Sequence, residues 1–163
     1  MTGTMNRLRK NNERPILLAL HGLPRSGKNT AADFLRREFS FHRVAFADAL
    51  YREVSENFGV RAEELRSDLW KTTPQNLLSI QCADSPKFRA LMQAKKEDLA
   101  APRTARYILR AWAHDYRRGQ NNEYWLNEVA STLRLVEGDV VVSDLRYKED
   151  EYPFLVSYSW STG

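Results

Sequence analysis

The sequence predicts an α/β fold in which a parallel β-sheet is flanked by helices. Two short apolar runs, at residues 16–20 and 140–142, have the composition of strands that are buried on both faces. Between them, apolar residues recur at helical spacing. The chain has 163 residues, which is the length of one ordinary domain. Because strands that alternate with helices are joined by crossovers, we expect the sheet to be parallel.

The N-terminal region is predicted to contain a tail, a strand and a helix. Residues 1–14 show no apolar periodicity and are predicted to be a flexible tail, which leaves 15–163 for the domain. Residues 16–20 suit the first strand, because their apolar run is continuous. From Lys28 to Phe39, apolar residues fall on one face of a helix. The predicted order is therefore strand, turn and helix.

The middle of the chain is predicted to be mostly helical. Residues 44–46 suit a second buried strand, and the helix after them ends at Gly59. Over about 60–135 we expect a helical segment whose first half contains short helices broken near Pro74 and Pro86. Its second half contains two clearer amphipathic helices.

The last predicted strand is the β-branched run at residues 140–142, which is bounded by acids and is typical of a central strand. After Asp144, only residues 148–158 remain for a helix. We therefore expect a fold that is short at its C-terminus, with an exposed edge on its sheet.

Composition and charge narrow the class of protein. Hydrophobic residues make up 42% of the chain and charged residues 28%, which excludes collagen-like and wholly disordered chains. The net charge of +4 suits anionic ligands, but no basic stripe is interleaved with aromatic residues, which argues against a nucleic-acid partner. The single cysteine, Cys82, and the lack of a long apolar run predict a cytoplasmic protein that does not enter a membrane. The choice between a monomer and a homodimer stays open.

A glycine-rich turn at residues 22–28 reads Gly-Leu-Pro-Arg-Ser-Gly-Lys and matches G-x-x-x-x-G-K between a strand and a helix. In such a loop, backbone N–H groups point at phosphate oxygens, and the lysine bridges the outer phosphates. The alternative is a glycine turn that happens to carry a lysine, but the flanking strand and helix favour a phosphate loop. The candidate nucleotide-binding residues are Gly22, Arg25, Ser26, Gly27, Lys28, Asn29 and Thr30.

Candidate magnesium ligands lie beside this loop and at a neighbouring strand end. The position after the loop lysine, where Ser or Thr is usual, holds Asn29, and Thr30 follows. Amide and hydroxyl oxygens can both bind Mg²⁺. Asp144 closes the run at 140–142, and ligands gather at such strand ends in parallel sheets. The predicted metal ligands are therefore Asn29, Thr30 and Asp144.

Arginines are the candidate cations for phosphates beyond the loop. Arg146 lies two residues after Asp144, where it either reaches a transferring phosphate or pairs with a neighbouring acid as plain structure. Arg106 and Arg110 are one helical turn apart and can clamp a phosphate from one side of their helix. Arg117 and Arg118 extend this set. The alternative for the whole set is a solvated basic face.

Four segments, in order, resemble the phage-type deoxynucleoside monophosphate kinases, a P-loop nucleoside monophosphate kinase family. Residues 22–35 resemble the family's R-S-G-K-D-T loop and the helix that follows it, and residues 46–50 resemble its F-A-D-x-L segment. Residues 104–125 resemble the family's R-x-L-L-Q-x-x-G-T-E-x-x-R segment followed by Y-W. Residues 144–146 resemble its D-x-R. The likeness therefore covers most of residues 15–150 apart from the middle.

The resemblance implies a P-loop NTPase-like three-layer fold and an enzyme that transfers the γ-phosphoryl group of ATP, with Mg²⁺, to a nucleoside monophosphate, most simply a deoxynucleotide. The implied catalytic residues are Lys28, Asp48 and Arg146. The implied acceptor-binding residues are Asp48, Arg106, Arg110 and Arg118. For Asp48, the alternative is a cap on the helix that follows it.

The chain departs from the family pattern at two places. Asn29 stands where the family has Asp, and Ala113, His114 and Asp115 replace Gly-Thr-Glu. Two other functions therefore stay open: a nucleotide-binding protein of this fold that has lost catalysis, and a kinase for another small phosphorylated acceptor. If the protein is phage-encoded, the resemblance implies a location in the host cytoplasm.

Overall fold

A computed structural model describes residues 15–23, 26–145 and 149–161, and it has an α/β architecture with a small parallel sheet flanked by helices. The described chain divides into two compact units. The sheet unit contains the described residues up to Ala47 and from Leu126 onward, and the helical unit is Asp48–Trp125. The tail predicted at 1–14 lies outside the described residues.

The sheet of the described chain has three parallel strands, β1 (Leu17–His21), β2 (His42–Val44) and β3 (Val140–Leu145), in the order β1-β3-β2. Val140 is in register with Leu17 on one side and with His42 on the other. The predicted parallel sheet and its central strand are both confirmed.

Helices of the sheet unit cover both faces of β3. On one face, Val141 packs with Ala32 of α1 (Lys28–Phe39). On the other face, Val142 packs with residues of α7 (Tyr124–Arg134) and α8 (Glu151–Ser161). Because both faces are buried, the strand is apolar at every position from 140 to 142 and does not alternate.

The second strand was predicted at residues 44–46, and this prediction is wrong by two residues. The strand ends at Val44, and Phe46 is already the first residue of α2 (Phe46–Phe58). The carboxylate of Asp144 accepts the backbone N–H groups of Phe46 and Ala47, which fixes the start of the helix there. The apolar side chain of Phe46 is buried in the helix as it would be in a strand.

The helical unit contains short helices joined by tight turns. Its elements after α2 are α3 (Ala62–Arg66), α4 (Asp68–Thr72), two 3₁₀ turns (Asn76–Leu78 and Ile80–Cys82), α5 (Pro86–Ala94) and α6 (Ala105–Arg110). The predicted helix end at Gly59 is confirmed, since α2 ends at Phe58 and Gly59 has a φ of +62°. Pro86 begins α5, and the Ser85 hydroxyl accepts the N–H of Phe88 at 3.2 Å, so the predicted break is a helix start.

An aromatic cluster forms the core of the helical unit. Phe88 and Trp112 are fully buried with ring centroids 4.8 Å apart, and Phe58 and Tyr116 meet them edge-on. Trp125 is buried as well. The tryptophans at 112 and 125 are therefore core residues, as their helical spacing predicts.

The helix that carries the predicted acceptor arginines changes its geometry part-way. Thr104 caps α6 by accepting the N–H of Tyr107. After Arg110 the helix continues as a π-helix, Ala111–Arg118, with hydrogen bonds that span five residues. No helix in the described ranges is both long enough and apolar enough to cross a membrane.

Candidate functional site

Both glycines of the motif are required by the backbone of the loop. Gly22 has a φ of +154°, and a Cβ there would lie 2.9 Å from the Ser26 hydroxyl oxygen. Gly27 has a φ of +84° and precedes α1, and a Cβ there would meet no atom within 4 Å. The sequence pattern therefore corresponds to a turn that other residues adopt only with strain.

Lys28 lies over this turn and donates to the oxygens of the loop itself. Its Nζ is 2.7 Å from the carbonyl oxygens of Gly22 and Leu23 and 3.3 Å from the Ser26 hydroxyl. All three ammonium protons therefore have neutral acceptors. Phosphate oxygens are stronger acceptors for an ammonium group than carbonyl oxygens are, so a phosphate ligand can replace these partners.

The N-terminus of α1 has the features of an anion-binding helix start. Its N-cap, Gly27, has no side chain with which to cap it, and its first turn contains no acid. No acid of the first turn therefore opposes an anion at the N–H groups and the positive end of the helix dipole. Thr30 is exposed in this first turn. Arg25, predicted for the same loop, lies outside the described residues, as does Arg146.

Arg43 of β2 is a residue of this region that sequence reasoning missed. Its guanidinium donates from Nε to Ser143 Oγ at 3.2 Å, from Nη1 to Asp33 Oδ1 at 3.3 Å and from Nη2 to Asn29 Oδ1 at 3.3 Å. The only signal in the sequence is a charged residue between Phe41 and the strand residue Val44, which gives no hint of these partners.

Asp144 lies at the end of β3 as predicted, and both of its carboxylate oxygens accept backbone N–H groups. One accepts from Phe46 at 2.7 Å and the other from Ala47 at 3.0 Å. Asp144 thus acts as the capping group of α2, a role that its place in the sequence did not indicate.

Two of the three predicted metal ligands, Asn29 and Asp144, already accept hydrogen bonds in the described chain, and the magnesium site stays a prediction. Asn29 Oδ1 accepts an N–H from the Arg43 guanidinium, and that cation opposes a second cation at the same oxygen. Each Asp144 oxygen accepts one backbone N–H and keeps a second lone pair, and the Thr30 hydroxyl is exposed. Among the described residues, no three His, Cys, Asp or Glu side chains are grouped in a way that could hold a metal ion.

In the helical unit, the predicted acceptor arginines belong to a longer cationic face. Arg106, Arg110, His114 and Arg118 follow one another at intervals of four along the continuous helix of residues 105–118. The first three are exposed and Arg118 is partly exposed. Arg106 and Arg110 form no ion pair with any residue that the structure describes. His114 lies on the same face as these arginines, and the spacing of four residues is the signal that could have found it.

The positive charges of the arginines on either side of His114 act on its pKa. Burial lowers the pKa of His114 from its ordinary value, and the positive charges of Arg118 and Arg110 lower it further, while Asp115 opposes them. Asp115 itself forms an ion pair with Lys95, the residue that follows α5. Neighbouring like charges destabilise a helix, so this face has a cost in stability that an anionic ligand would relieve.

Asp48 lies in the first turn of α2 and forms an ion pair with Arg66 Nη2 at 3.1 Å. Arg66 also lies over the ring of Tyr51, 4.3 Å from its centroid. The pair is largely exposed, so it contributes little to stability. The predicted role of Asp48 in acceptor binding stays a prediction.

Arg117, next to Arg118 in sequence, has an internal partner. Its Nε donates to Glu53 Oε2 at 2.7 Å, and the same carboxylate accepts the indole N–H of Trp112 and the hydroxyl of Tyr124. Glu53 is buried, so the positive charge of Arg117 is neutralised inside the unit. Arg117 therefore does not belong to the cationic face.

A scan against protein-family models finds no match to this chain, and neither does a search of curated proteins. The function must therefore be argued from the loop, the cationic face and the charges around them.

Proposed function

We propose that the chain is a P-loop kinase that transfers the γ-phosphoryl group of ATP to a nucleoside monophosphate, with a deoxynucleotide as its substrate. The observation that carries the proposal is the loop between β1 and α1. It combines two glycines at positive φ, an uncapped helix N-terminus and a lysine whose partners are neutral loop oxygens. This set of groups suits the terminal phosphates of a nucleotide.

In the proposed reaction, ATP is the donor substrate together with the Mg²⁺ that its own phosphates bind. The bond between the γ-phosphorus and the β–γ bridging oxygen breaks, and a bond forms to an oxygen of the acceptor's phosphate. The loop amides and Lys28 hold the donor phosphates and neutralise the charge that moves between them. Such a transfer needs no covalent intermediate on the protein.

The acceptor side of the proposal rests on the cationic face of the helical unit. Guanidinium groups bind phosphate oxygens through paired N–H donors, and Arg106 and Arg110 have no internal counter-charge in the described chain. A doubly charged monophosphate would offset the repulsion among these residues. This is the reason for preferring a phosphorylated acceptor to a neutral one.

A second candidate function is a nucleotide-binding protein of the same loop that does not catalyse transfer. Two sets of contacts favour it. Asn29 Oδ1 accepts a hydrogen bond from Arg43, and the Asp144 carboxylate accepts two from backbone amides. These contacts leave the donor loop intact but compete with a metal ion for the oxygens that would organise it around the phosphates.

The proposal is tested with the variant Lys28→Met in the full chain. We expect its affinity for ATP to fall by about tenfold or more, because the ammonium partner of the outer phosphates is lost. Phosphoryl transfer to a panel of nucleoside monophosphates should fall to background. Binding is measured by titration calorimetry, and transfer by coupled ADP production.

The matched control is Arg36→Met, which removes an exposed cation from the same helix. It should leave both measurements unchanged. Full activity of Lys28→Met would refute the role of the loop. ATP binding by the parent chain without transfer to any acceptor would favour the second candidate, and transfer only to phosphorylated compounds other than nucleotides would favour a different kinase.

A further inference from the structure

All three nitrogen atoms of the Arg43 guanidinium donate hydrogen bonds, and one of these goes to Asn29, the residue that follows the phosphate loop. Nε, Nη1 and Nη2 each donate to a different side chain, namely Ser143, Asp33 and Asn29. Ser143 is buried on β3, and the side chain of Arg43 is only 32% exposed. The guanidinium is therefore held in one position, between the central strand and the first two turns of α1.

The direction of the Arg43 side chain follows from the sheet. Arg43 is in register with Val141, whose side chain packs against α1. The side chains of paired residues on neighbouring strands point to the same face of the sheet. Val44, one residue later, packs on the opposite face. Arg43 is thus the charged residue that β2 directs at the helix carrying Lys28.

The charges around Arg43 do not cancel. Among the described residues, Asp33 is the only carboxylate that Arg43 contacts, and Asp33 is shared with Arg36, whose Nε lies 3.9 Å away. The partner next to the loop is the neutral amide of Asn29, at the position where a hydroxyl ligand of magnesium is usual. A positive charge therefore lies next to residue 29, the position at which the usual loop has a magnesium ligand.

We propose that Arg43 is the positioning cation of this loop: it fixes the Asn29 amide and supplies the positive charge beside the nucleotide phosphates, so nucleotide binding needs no metal ion held by the protein. This inference rests on the proposed nucleotide-binding function. It predicts that nucleotide affinity depends only weakly on Mg²⁺ and strongly on the residue at position 43.

The first experiment measures ADP binding to the full chain by calorimetry, in excess EDTA and in excess MgCl₂. For the parent chain, the two dissociation constants should agree within about threefold. In EDTA, Arg43→Met should weaken binding by about tenfold, because the fixed guanidinium is lost. Arg36→Met, which removes the other arginine near Asp33, should leave affinity unchanged under both conditions.

A second variant separates a positioning role from a structural one. In Asn29→Thr, the amide acceptor of Arg43 is replaced by a hydroxyl that can bind a metal, and Arg43 itself is kept. ADP binding to this variant should become dependent on magnesium, with a dissociation constant at least about tenfold higher in EDTA than in MgCl₂. A contact that merely ties β2 to α1 would not change this ratio, and the result does not require Arg43→Met to fold.

The outcomes distinguish the two proposals. If the parent chain binds ADP only with magnesium, or if Arg43→Met and Arg36→Met behave alike in EDTA, the role of Arg43 is refuted while nucleotide binding stands. An unchanged ratio in Asn29→Thr also refutes it. If the parent chain binds neither ADP nor ATP under either condition, the proposed function itself fails, and the inference fails with it.

Discussion

Lys28 in the sheet unit and Arg117 in the helical unit are both cations with several protein partners, but the partners differ in kind. Lys28 donates to two carbonyl oxygens and a hydroxyl of an exposed loop. Arg117 donates to the buried carboxylate of Glu53 and lies over the rings of Tyr116 and Tyr124. A ligand can replace the partners of the first cation, whereas the partners of the second are part of the core. The kind of partner, more than the charge itself, therefore separates a cation that can bind a ligand from a structural one.

The largest expected effect comes from removing the carboxylate that makes Arg117 structural. Glu53→Ala leaves Arg117 without its counter-charge and the buried indole N–H of Trp112 without its acceptor. We expect the free energy of unfolding to fall by about 3 kcal/mol, because breaking a buried ion pair leaves an uncompensated charge. Urea unfolding followed by circular dichroism measures the loss.

The control for this variant is Glu56→Ala, which removes an exposed carboxylate from the same helix. Its effect should stay within about 0.5 kcal/mol. If Glu53→Ala and Glu56→Ala were equally stable, Arg117 would have to be regarded as a cation of the surface, and the contrast with Lys28 would disappear.

The variant Asp144→Ala tests whether the sheet unit also contains a charged side chain with a structural role. In Asp144→Ala, the N–H groups of Phe46 and Ala47 lose their acceptors at the start of α2. We expect the free energy of unfolding to fall by about 2 kcal/mol, the range for hydrogen bonds to a charged group. The same unfolding measurement applies, with the exposed Glu137→Ala as the control. Equal stability of the two variants would mean that Asp144 is not a capping residue.

The smallest expected effect is a change in how stability depends on pH, and it comes from His114, which lies among the arginines of the cationic face. The pKa of His114 is lowered by burial and by Arg118 and Arg110, so the native chain binds fewer protons here than the unfolded chain does just below pH 6.5. Stability is therefore expected to rise with pH through this window, and His114→Gln should make that rise shallower. Unfolding measured at a series of pH values records the slope.

A second measurement isolates the cause of this pKa shift. Arg110→Gln removes one of the two positive charges that act on His114, so it should move the pKa of His114 upward, toward its ordinary value. The titration of the His114 ring protons by NMR reports this directly. An unchanged titration in Arg110→Gln would show that the two residues do not share a face.

The sequence was sufficient for the features that depend on local pattern. The apolar run at 140–142 predicted the central strand, because a strand buried on both faces must be apolar throughout. The spacing of Gly22, Gly27 and Lys28 predicted the strand, turn and helix at the loop, since a positive φ and a helix start restrict which residues can occupy these positions. Each of these features is determined by a few residues that are close together in the sequence.

The features that sequence reasoning missed depend on contacts between distant segments. The second strand was misplaced because the acceptor that starts α2 at Phe46 is Asp144, a residue far along the chain. The partners of Arg43 come from α1 and β3, and no pattern around position 43 encodes them. The partner of Glu53 was missed for the same reason, since Arg117 belongs to another helix and both charges read as surface residues.

The contacts of Lys28 have a consequence for which anions the loop selects. The lysine is an internal competitor for its own site, because any ligand must first displace three hydrogen bonds within the protein. A small anion that offers a single contact loses more of these bonds than it replaces. A chain of phosphates can offer several acceptors at once, so if the loop binds nucleotides as proposed, the folded-back lysine is expected to favour polyphosphates over small inorganic anions.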